Sequence, residues 1–397
     1  MVALSDTPYT KPPHSQKRLT KSLERSTSWL SNILRPIKSE DGLHLDSYRL
    51  NVFVLMAGGA SLTARSAFSD SLMETLHGNE AETIRPFKCL DDGVAGYTFD
   101  LVPLRLSLGA ETDSVGISPP DVLDIATLTA VQASVHTSKF IPLIKASLAP
   151  LSTSKLRIVN STISPHEVLR LIRSVGIDMF DANWAQRAAD IGIALDFIFP
   201  VTADFDGRVQ GQKRDIGHNL YDQVYAHDFK RFADSFVDGA SSLAGSNSSN
   251  MSVCLCAACS PVSPSTPLVH SCIDSKSYPV PKEHNHSESF LPPFTRAYLH
   301  HLLHTHEMSA HTLLVMHNLC VLDAFFAGVR ATLAYPDGVA RFEAEVDKFA
   351  EVYDEDMKVF DAASRSWADV ELARGKGRLA REKAKQAEST LGTAMKL

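Results

Sequence analysis

Cys254, Cys256 and Cys259 fall within the six residues "CLCAAC" of a chain that has six cysteines in all. Three thiols at this spacing suit one metal ion. The C-x-x-C pair Cys256 and Cys259 can present both sulfurs from a single turn, and Cys254 is close enough to reach the same point. Zinc takes four soft or borderline ligands in a tetrahedron, so a fourth must come from elsewhere. By residue type the candidates are His317, His270, Cys272, and the histidines His300, His301, His304 and His306. His270 and Cys272 are near in sequence but lie in a Ser/Pro-rich segment, a poor rigid platform. His317 stands in the apolar run "LLVMHNLCVL", where a lone imidazole needs a partner. That partner is either a metal or a hydrogen-bond acceptor in the core. His300 and His304 are helical i, i+4 neighbours, but the Glu of an H-E-x-x-H hydrolase motif is missing. Cys89 and Cys320 read as plain buried thiols.

These groups need a scaffold, and the composition supplies one. The chain has 397 residues, 44% of them apolar, enough for one large domain or two ordinary ones. The formal net charge of −7 argues against a chain that grips nucleic acid alone, since phosphate binding needs a positive surface. A local exception is "RGKGRLAREKAK" at 374–385, with Arg374, Lys376, Arg378, Arg381, Lys383 and Lys385 against Glu382. No run of 18 or more apolar residues suggests a membrane span. The first residues lack the apolar core of a signal peptide. The expectation is therefore a cytoplasmic protein, whose reduced thiols favour metal over disulfide.

Apolar runs and amphipathic stretches alternate through the first half. Strands are expected at 2–5, 51–56, 96–101, 155–160 and 177–181. Helices are expected at 15–34, about 62–77, 118–135 and 164–176. In the last of these, Ser164 is the expected cap, Pro165 the first helical residue and Gly176 the stop. Five strands alternating with helices argue for parallel β/α units. A closed (β/α)8 barrel has eight strands, so five imply an open sheet or a barrel lacking three units. In the second half, 241–250 reads as a spacer and 260–294 as a flexible Ser/Pro-rich insertion. Helical patterns resume at 294–308, 310–334 and 338–357. A charged, poorly anchored tail follows beyond about 360.

Several stretches together resemble the tRNA-guanine transglycosylase family, which exchanges a guanine in tRNA for queuine or its precursor. "GIDMFD" (176–181) resembles the strand carrying that family's nucleophilic aspartate. "CLCAAC", "TRAYLHHLL" (295–303) and "MHNL" (316–319) resemble its zinc site and the helices behind it. "VLMAGGASLTARSAF" (54–68) resembles a middle barrel strand with its helix, and "YAHDF" (225–229) the segment before the zinc motif. The resemblance covers about 1–360, interrupted by the insertion. It implies a (β/α)8 TIM-barrel type of α/β fold, here without its first three units, with a zinc-binding subdomain inserted. The implied organisation is a partial barrel over 1–181, a hairpin and zinc-binding subdomain over 182–259, the insertion over 260–294, closing helices over 295–357 and the tail over 358–397. It also implies one structural Zn2+ held by Cys254, Cys256, Cys259 and His317.

The family's reaction uses an aspartate to displace guanine from ribose C1′, a second aspartate as acid and base, and a glycine-rich backbone against the base. Asp181 matches the nucleophile position, although an aspartate ending a strand also serves to cap the next helix. Around it the pattern departs. "ANWAQRAADIGIALDF" replaces the run that follows the nucleophile in catalytic members. "GYTFDLVPLRL" (96–106) replaces the glycine-rich loop with Phe99, Asp100, Leu101 and Val102. "RIVNS" (157–161) lacks the glycine expected there, and no "DSGG"-like stretch occurs. "AGG" (57–59) is retained, and Asp6 lies where the family has a base-contacting aspartate. The eukaryotic enzyme is a heterodimer of a catalytic subunit and a homologue with a degraded site. This chain looks most like the second. The resemblance thus implies no functional catalytic residue here, a catalytic subunit as partner and tRNA reached through the complex. The alternative is a self-sufficient enzyme using Asp181. Peripheral association with the mitochondrial outer membrane is compatible with the same resemblance.

Overall fold

Short apolar strands followed by capped helices build the first half of the chain. The computed structural model describes residues 1–7, 14–35, 50–112, 130–201, 213–234, 254, 256–260 and 292–372. The chain forms two units, Met1–Trp184 and Ala185–Leu397.

In the first unit, β1 (Val2–Ala3), β2 (Phe53–Leu55), β3 (Gly96–Asp100), β4 (Leu156–Asn160) and β5 (Met179–Phe180) form one sheet in sequence order. Every pairing is parallel, with Val2 opposite Phe53, Phe53 opposite Gly96, Gly96 opposite Leu156 and Ile158 opposite Met179. Sequential parallel strands need a crossover between each pair. Here these contain α1 (Gln16–Ile33), α2 (Leu62–Met73) and α3 (Gly78–Thr83), then α4 (Leu101–Thr112) and α5 (Ala130–Leu148), and finally α6 (Pro165–Val175). Val54, Tyr97, Phe99 and Val159 form a core with Leu30, Phe68, Leu72, Phe140 and Leu171 from the helices. Side chains alternate across a strand. Leu156 and Met179 remain 43% and 47% exposed.

The caps explain where the helices begin. Ser15, Ser61 and Ser164 each accept a backbone N–H from the first turn of α1, α2 and α6. Such a cap is worth about 1 kcal/mol. Pro165 opens α6, and Gly176 ends it at φ 72°, a left-handed conformation that favours glycine. Two expectations need correction. The strand expected at 96–101 ends at Asp100. The chain turns helical at Leu101, where Asp100 Oδ1 accepts the Val102 N–H at 3.0 Å. The helix expected over 118–135 is described only from Ala130, and it continues to Leu148 with Pro142 inside it. Residues 118–129 lie outside the described residues.

The second unit begins within α7 (Asn183–Asp190). β6 (Ile193–Leu195) and β7 (Gly217–Asn219) follow as an antiparallel pair with Leu195 opposite Gly217. Behind them stand α8 (Arg296–His304), α9 (Met308–Leu333) and α10 (Gly338–Val352). Phe197, Phe199, Phe325, Phe349 and Tyr353 interlock edge-to-face and tilted in this core. A β-carbon on Gly328 would lie 1.7 Å from the Phe199 carbonyl oxygen, so only glycine permits that approach. Among the described residues, α9 alone is long and apolar enough to cross a membrane by length and composition. It packs against α8, α10 and β6 and carries the fully buried His317 and Asn318. The described part of the tail is better anchored than expected. Residues 358–372 are helical, Val359 and Ala363 are buried, and Ser366 accepts a hydrogen bond from Asn219. The basic stretch 374–385, the spacer 241–250 and residues 261–291 of the insertion lie outside the described residues.

Candidate metal centre

A turn closes around Cys256 before any metal is considered. The Cys259 N–H donates to Cys256 Sγ at 3.2 Å, the Ser260 N–H to the Cys256 carbonyl at 2.9 Å, and Ser260 Oγ to the Cys254 carbonyl at 2.9 Å. These bonds turn all three sulfurs inward. Facing them is His317 in the middle of α9, with Nδ1 3.5 Å from Cys254 Sγ, 3.7 Å from Cys256 Sγ and 3.4 Å from Cys259 Sγ. The four ligand atoms lie within 4.8 Å of one another, and all four residues are buried. A tetrahedron with metal–sulfur bonds of about 2.3 Å and a metal–nitrogen bond of about 2.05 Å has S···N edges of about 3.6 Å. The observed edges bracket that value. The donor set therefore fits one tetrahedral metal ion, with no position left for water or substrate.

The imidazole is held for this purpose. His317 Nε2 lies 2.9 Å from the Leu195 carbonyl. An N–H there fixes the tautomer and leaves the Nδ1 lone pair available to a metal. Phe232 packs edge-on against the ring at 5.4 Å. Burial alone would push the His317 pKa down. Hydrogen bonds to Cys256 and Cys259, with the charge of those sulfurs, more than offset it and hold the value up to about 10. Hydrogen bonds from Cys254 and Cys259 push the Cys256 thiol far below its ordinary range. Cys254 is pushed up by its hydrogen bonds to Cys256, Cys259 and Cys320. The opposed shifts tie the thiols and the ring into one cluster, at which a cation would bind in exchange for protons. Cys320 is consequently not the plain thiol expected. It is half-buried and touches a member of the cluster. Cys89 is simply buried.

The other candidate ligands go elsewhere. His300 Nδ1 is 2.9 Å from the Leu220 carbonyl, His304 Nδ1 is 2.8 Å from the His300 carbonyl, and His306 pairs with Glu371 at 3.3 Å. His270 and Cys272 lie outside the described residues. A second constellation of metal-ligand type, Asp196, His218 and Asp234, went unremarked in the sequence. Guanidinium groups already serve it. Arg214 bonds Asp196 at 2.7 Å, and Arg296 lies 3.0 Å from Asp234 and 3.1 Å from Asp228. The network ties β6 and β7 to α8 beside the cysteine turn and needs no cation.

In the first unit, Asp181 is half-buried at the end of β5. Its Oδ2 accepts the Ser161 N–H at 2.8 Å and the Asn183 side-chain amide at 2.7 Å. Oδ1 is buried and has no hydrogen-bond partner among the described residues. Ser161 stands at φ 66°, left-handed for a residue with a β-carbon, and the Asp181 bond anchors its peptide. Nearby, Arg105 Nη2 bonds Glu167 at 2.6 Å, with both side chains 2% exposed. Phe99 and Leu101 are buried in the core shared with the helices. Asp6 is held by Arg18 through two bonds of 2.8 and 2.9 Å and by Arg25 at 3.1 Å. The two aspartates singled out from the sequence therefore both serve internal contacts.

Comparison with known proteins follows the same lines. A family model described as queuine tRNA-ribosyltransferase matches residues 118–355. The chain is similar to a protein named queuine tRNA-ribosyltransferase accessory subunit 2 from Schizosaccharomyces pombe, 23% identical over 353 residues. That match covers 89% of this chain and 53% of the relative. Proteins of the same name from Aedes aegypti (24% identical, 80% of this chain, 52% of the relative) and Ixodes scapularis (28%, 46% and 34%) are also similar. The chain thus spans about half the length of the first two relatives.

Proposed function

Because this chain belongs to the queuine tRNA-ribosyltransferase family, we propose that it is the non-catalytic accessory subunit of a queuine tRNA-ribosyltransferase. In this reading it docks a catalytic homologue as a heterodimer and supports exchange of guanine for queuine at the wobble position, 34, of tRNAs with GUN anticodons. The names of the similar proteins support the assignment. The observation that carries it is the state of Asp181. A nucleophile needs a free carboxylate oxygen aimed at an open site. Here one oxygen is bound by two donors and the other is buried.

The metal is Zn2+ in this proposal, one per chain, held by Cys254, Cys256, Cys259 and His317. When bound it supplies a cross-link and no chemistry, since four protein ligands close the site. The ligand types and the 3.4–3.7 Å spacings support zinc over a harder cation. The parallel sheet belongs, on the same proposal, to a (β/α)8 TIM-barrel type of fold, of which β1 to β5 with their helices are part. The complex works in the cytoplasm, where reduced thiols remain available to metal.

Guanine exchange tests the reading. Purified chain incubated with radiolabelled guanine and tRNA should show no incorporation, and addition of the catalytic homologue should restore it. Incorporation by this chain alone, abolished in Asp181→Ala, would instead establish the enzyme reading.

A further inference from the structure

We infer that Asn318 is the positioning residue of the metal centre: its carboxamide pairs with the edge of β6 and thereby sets the rotation of the His317 ring. The inference rests on the metal reading of the four ligands and adds a residue to it. Asn318 is fully buried in an otherwise apolar stretch of α9. Its Oδ1 accepts the Leu195 N–H at 2.9 Å, and its Nδ2 donates to the Ile193 carbonyl at 2.9 Å and the Ala185 carbonyl at 3.1 Å. The preceding residue, His317, meets the Leu195 carbonyl through Nε2 at 2.9 Å. Two consecutive side chains of one helix therefore engage both the N–H and the C=O of Leu195, as a neighbouring strand would.

The strand geometry explains why this edge is available. The Asp196 N–H bonds Ile216 and the Gly192 carbonyl receives the Leu220 N–H, so the even-numbered residues of β6 face β7. With a period of two, Ile193 and Leu195 turn their backbone groups the other way, toward α9. Buried backbone groups must find partners. A carboxamide offers an acceptor and two N–H donors, whereas a hydroxyl has a single donor, an ionised carboxylate none and an aliphatic side chain neither. The consequence reaches the metal. An imidazole can rotate about its side-chain bonds, and only one orientation aims Nδ1 at all three sulfurs. The Leu195 carbonyl selects that orientation, and Asn318 fixes the strand that carries the carbonyl.

The test uses the full chain loaded with zinc and competed against a chromophoric chelator. Asn318→Asp keeps the size but sets an oxygen against the Ile193 and Ala185 carbonyls. It should weaken zinc binding about 10- to 100-fold, the usual effect of removing an outer partner of a ligand. Asn318→Ser should act in the same direction and serves if the first variant does not fold. In a His317→Cys background, where a thiolate replaces the ring as fourth ligand and needs no orientation by the Leu195 carbonyl, either change should produce no further loss. The cobalt-loaded chain should show shifted d–d bands in the Asn318 variants only when His317 is present. Equal losses in both backgrounds would mean a general folding effect and overturn the positioning role. So would unweakened binding in Asn318→Asp. In the unmutated chain, zinc should slow exchange of the Leu195 amide proton, and exchange indifferent to zinc overturns the coupling. An unmutated chain that takes up no stoichiometric zinc overturns the metal reading itself, a different result from any of these.

Discussion

Asp181→Ala separates a structural carboxylate from a catalytic one. The substitution removes the acceptor of the Ser161 N–H, 2.8 Å away, and of the Asn183 amide, 2.7 Å away. Hydrogen bonds to an ionised group contribute about 1.5–3 kcal/mol net when well buried. Asp181 is half-buried, which lowers each to about 1–2 kcal/mol and the pair to about 2–4 kcal/mol. Ser161 adds to the sensitivity, because its peptide sits at φ 66° and loses the bond that anchors it. For a unit of this size about 1 kcal/mol moves Tm by about 2–4 °C, so the first unit should melt roughly 4–16 °C lower. Asp181→Asn, which keeps one oxygen acceptor, should lose about half as much. The assay is thermal unfolding followed by circular dichroism, run beside guanine exchange in the complex reconstituted with the catalytic homologue. Exchange should survive at temperatures where the variant is folded. An unchanged Tm with exchange reduced to background would refute the reasoning, since the carboxylate would then be free in the fold and needed in the reaction.

The remaining predictions concern the metal and the buried charges. His317→Ala should release the metal, whereas His300→Ala, His270→Ala and Cys272→Ala should retain it. Metal content by plasma emission spectrometry checks this, and stoichiometric zinc in the His317 variant contradicts the ligand set. Glu167→Leu should strand the Arg105 guanidinium, whose Nε and Nη1 have no hydrogen-bond partner among the described residues, and cost about 3–5 kcal/mol in a urea titration. Adding Arg105→Met should recover part of that loss, and a double variant no better than the single would argue against a stranded charge. Hydrogen bonding to Arg18 foremost, against a smaller cost of burial and helped by Arg25, lowers the Asp6 pKa below its usual 3.8. A depressed carboxylate contributes stability above its unfolded pKa and loses it as pH falls through the folded one. Stability should therefore decline below about pH 4, and Asp6→Asn should flatten that part of the acid limb in pH-dependent melts.

Local chemistry made part of this molecule readable from its sequence. Helix α6 is marked by Ser164, Pro165 and Gly176, each acting within a turn of its own position, and the structure uses all three as read. The parallel sheet was readable because each apolar run is short and bounded. Helix α4, which follows directly at Leu101, was not, because "FDLVPLRL" has neither a two-residue nor a helical period. The metal centre divides in the same way. Three cysteines within one turn declare themselves, but the fourth ligand lies far along the chain, and spacing alone could not rank His317 above the other histidines. Asn318 escaped notice although a signal was present, namely two adjacent polar residues in the apolar run of α9. Which backbone edge they serve is a tertiary fact.

The aspartates carry the functional argument further than composition could. A side chain's chemistry depends on who holds it, and Asp181 is held by Ser161, twenty residues earlier in the chain. Asp6 is held by Arg18 and Arg25, about two helical turns apart on α1. In each case a residue suited to touching a base or a ribose bonds its own protein. The metal cluster shows the opposite pattern, since its four donors converge on one point that no protein group fills. The four donors present their lone pairs to a ligand, whereas Asp6 and Asp181 spend theirs on donors of their own chain.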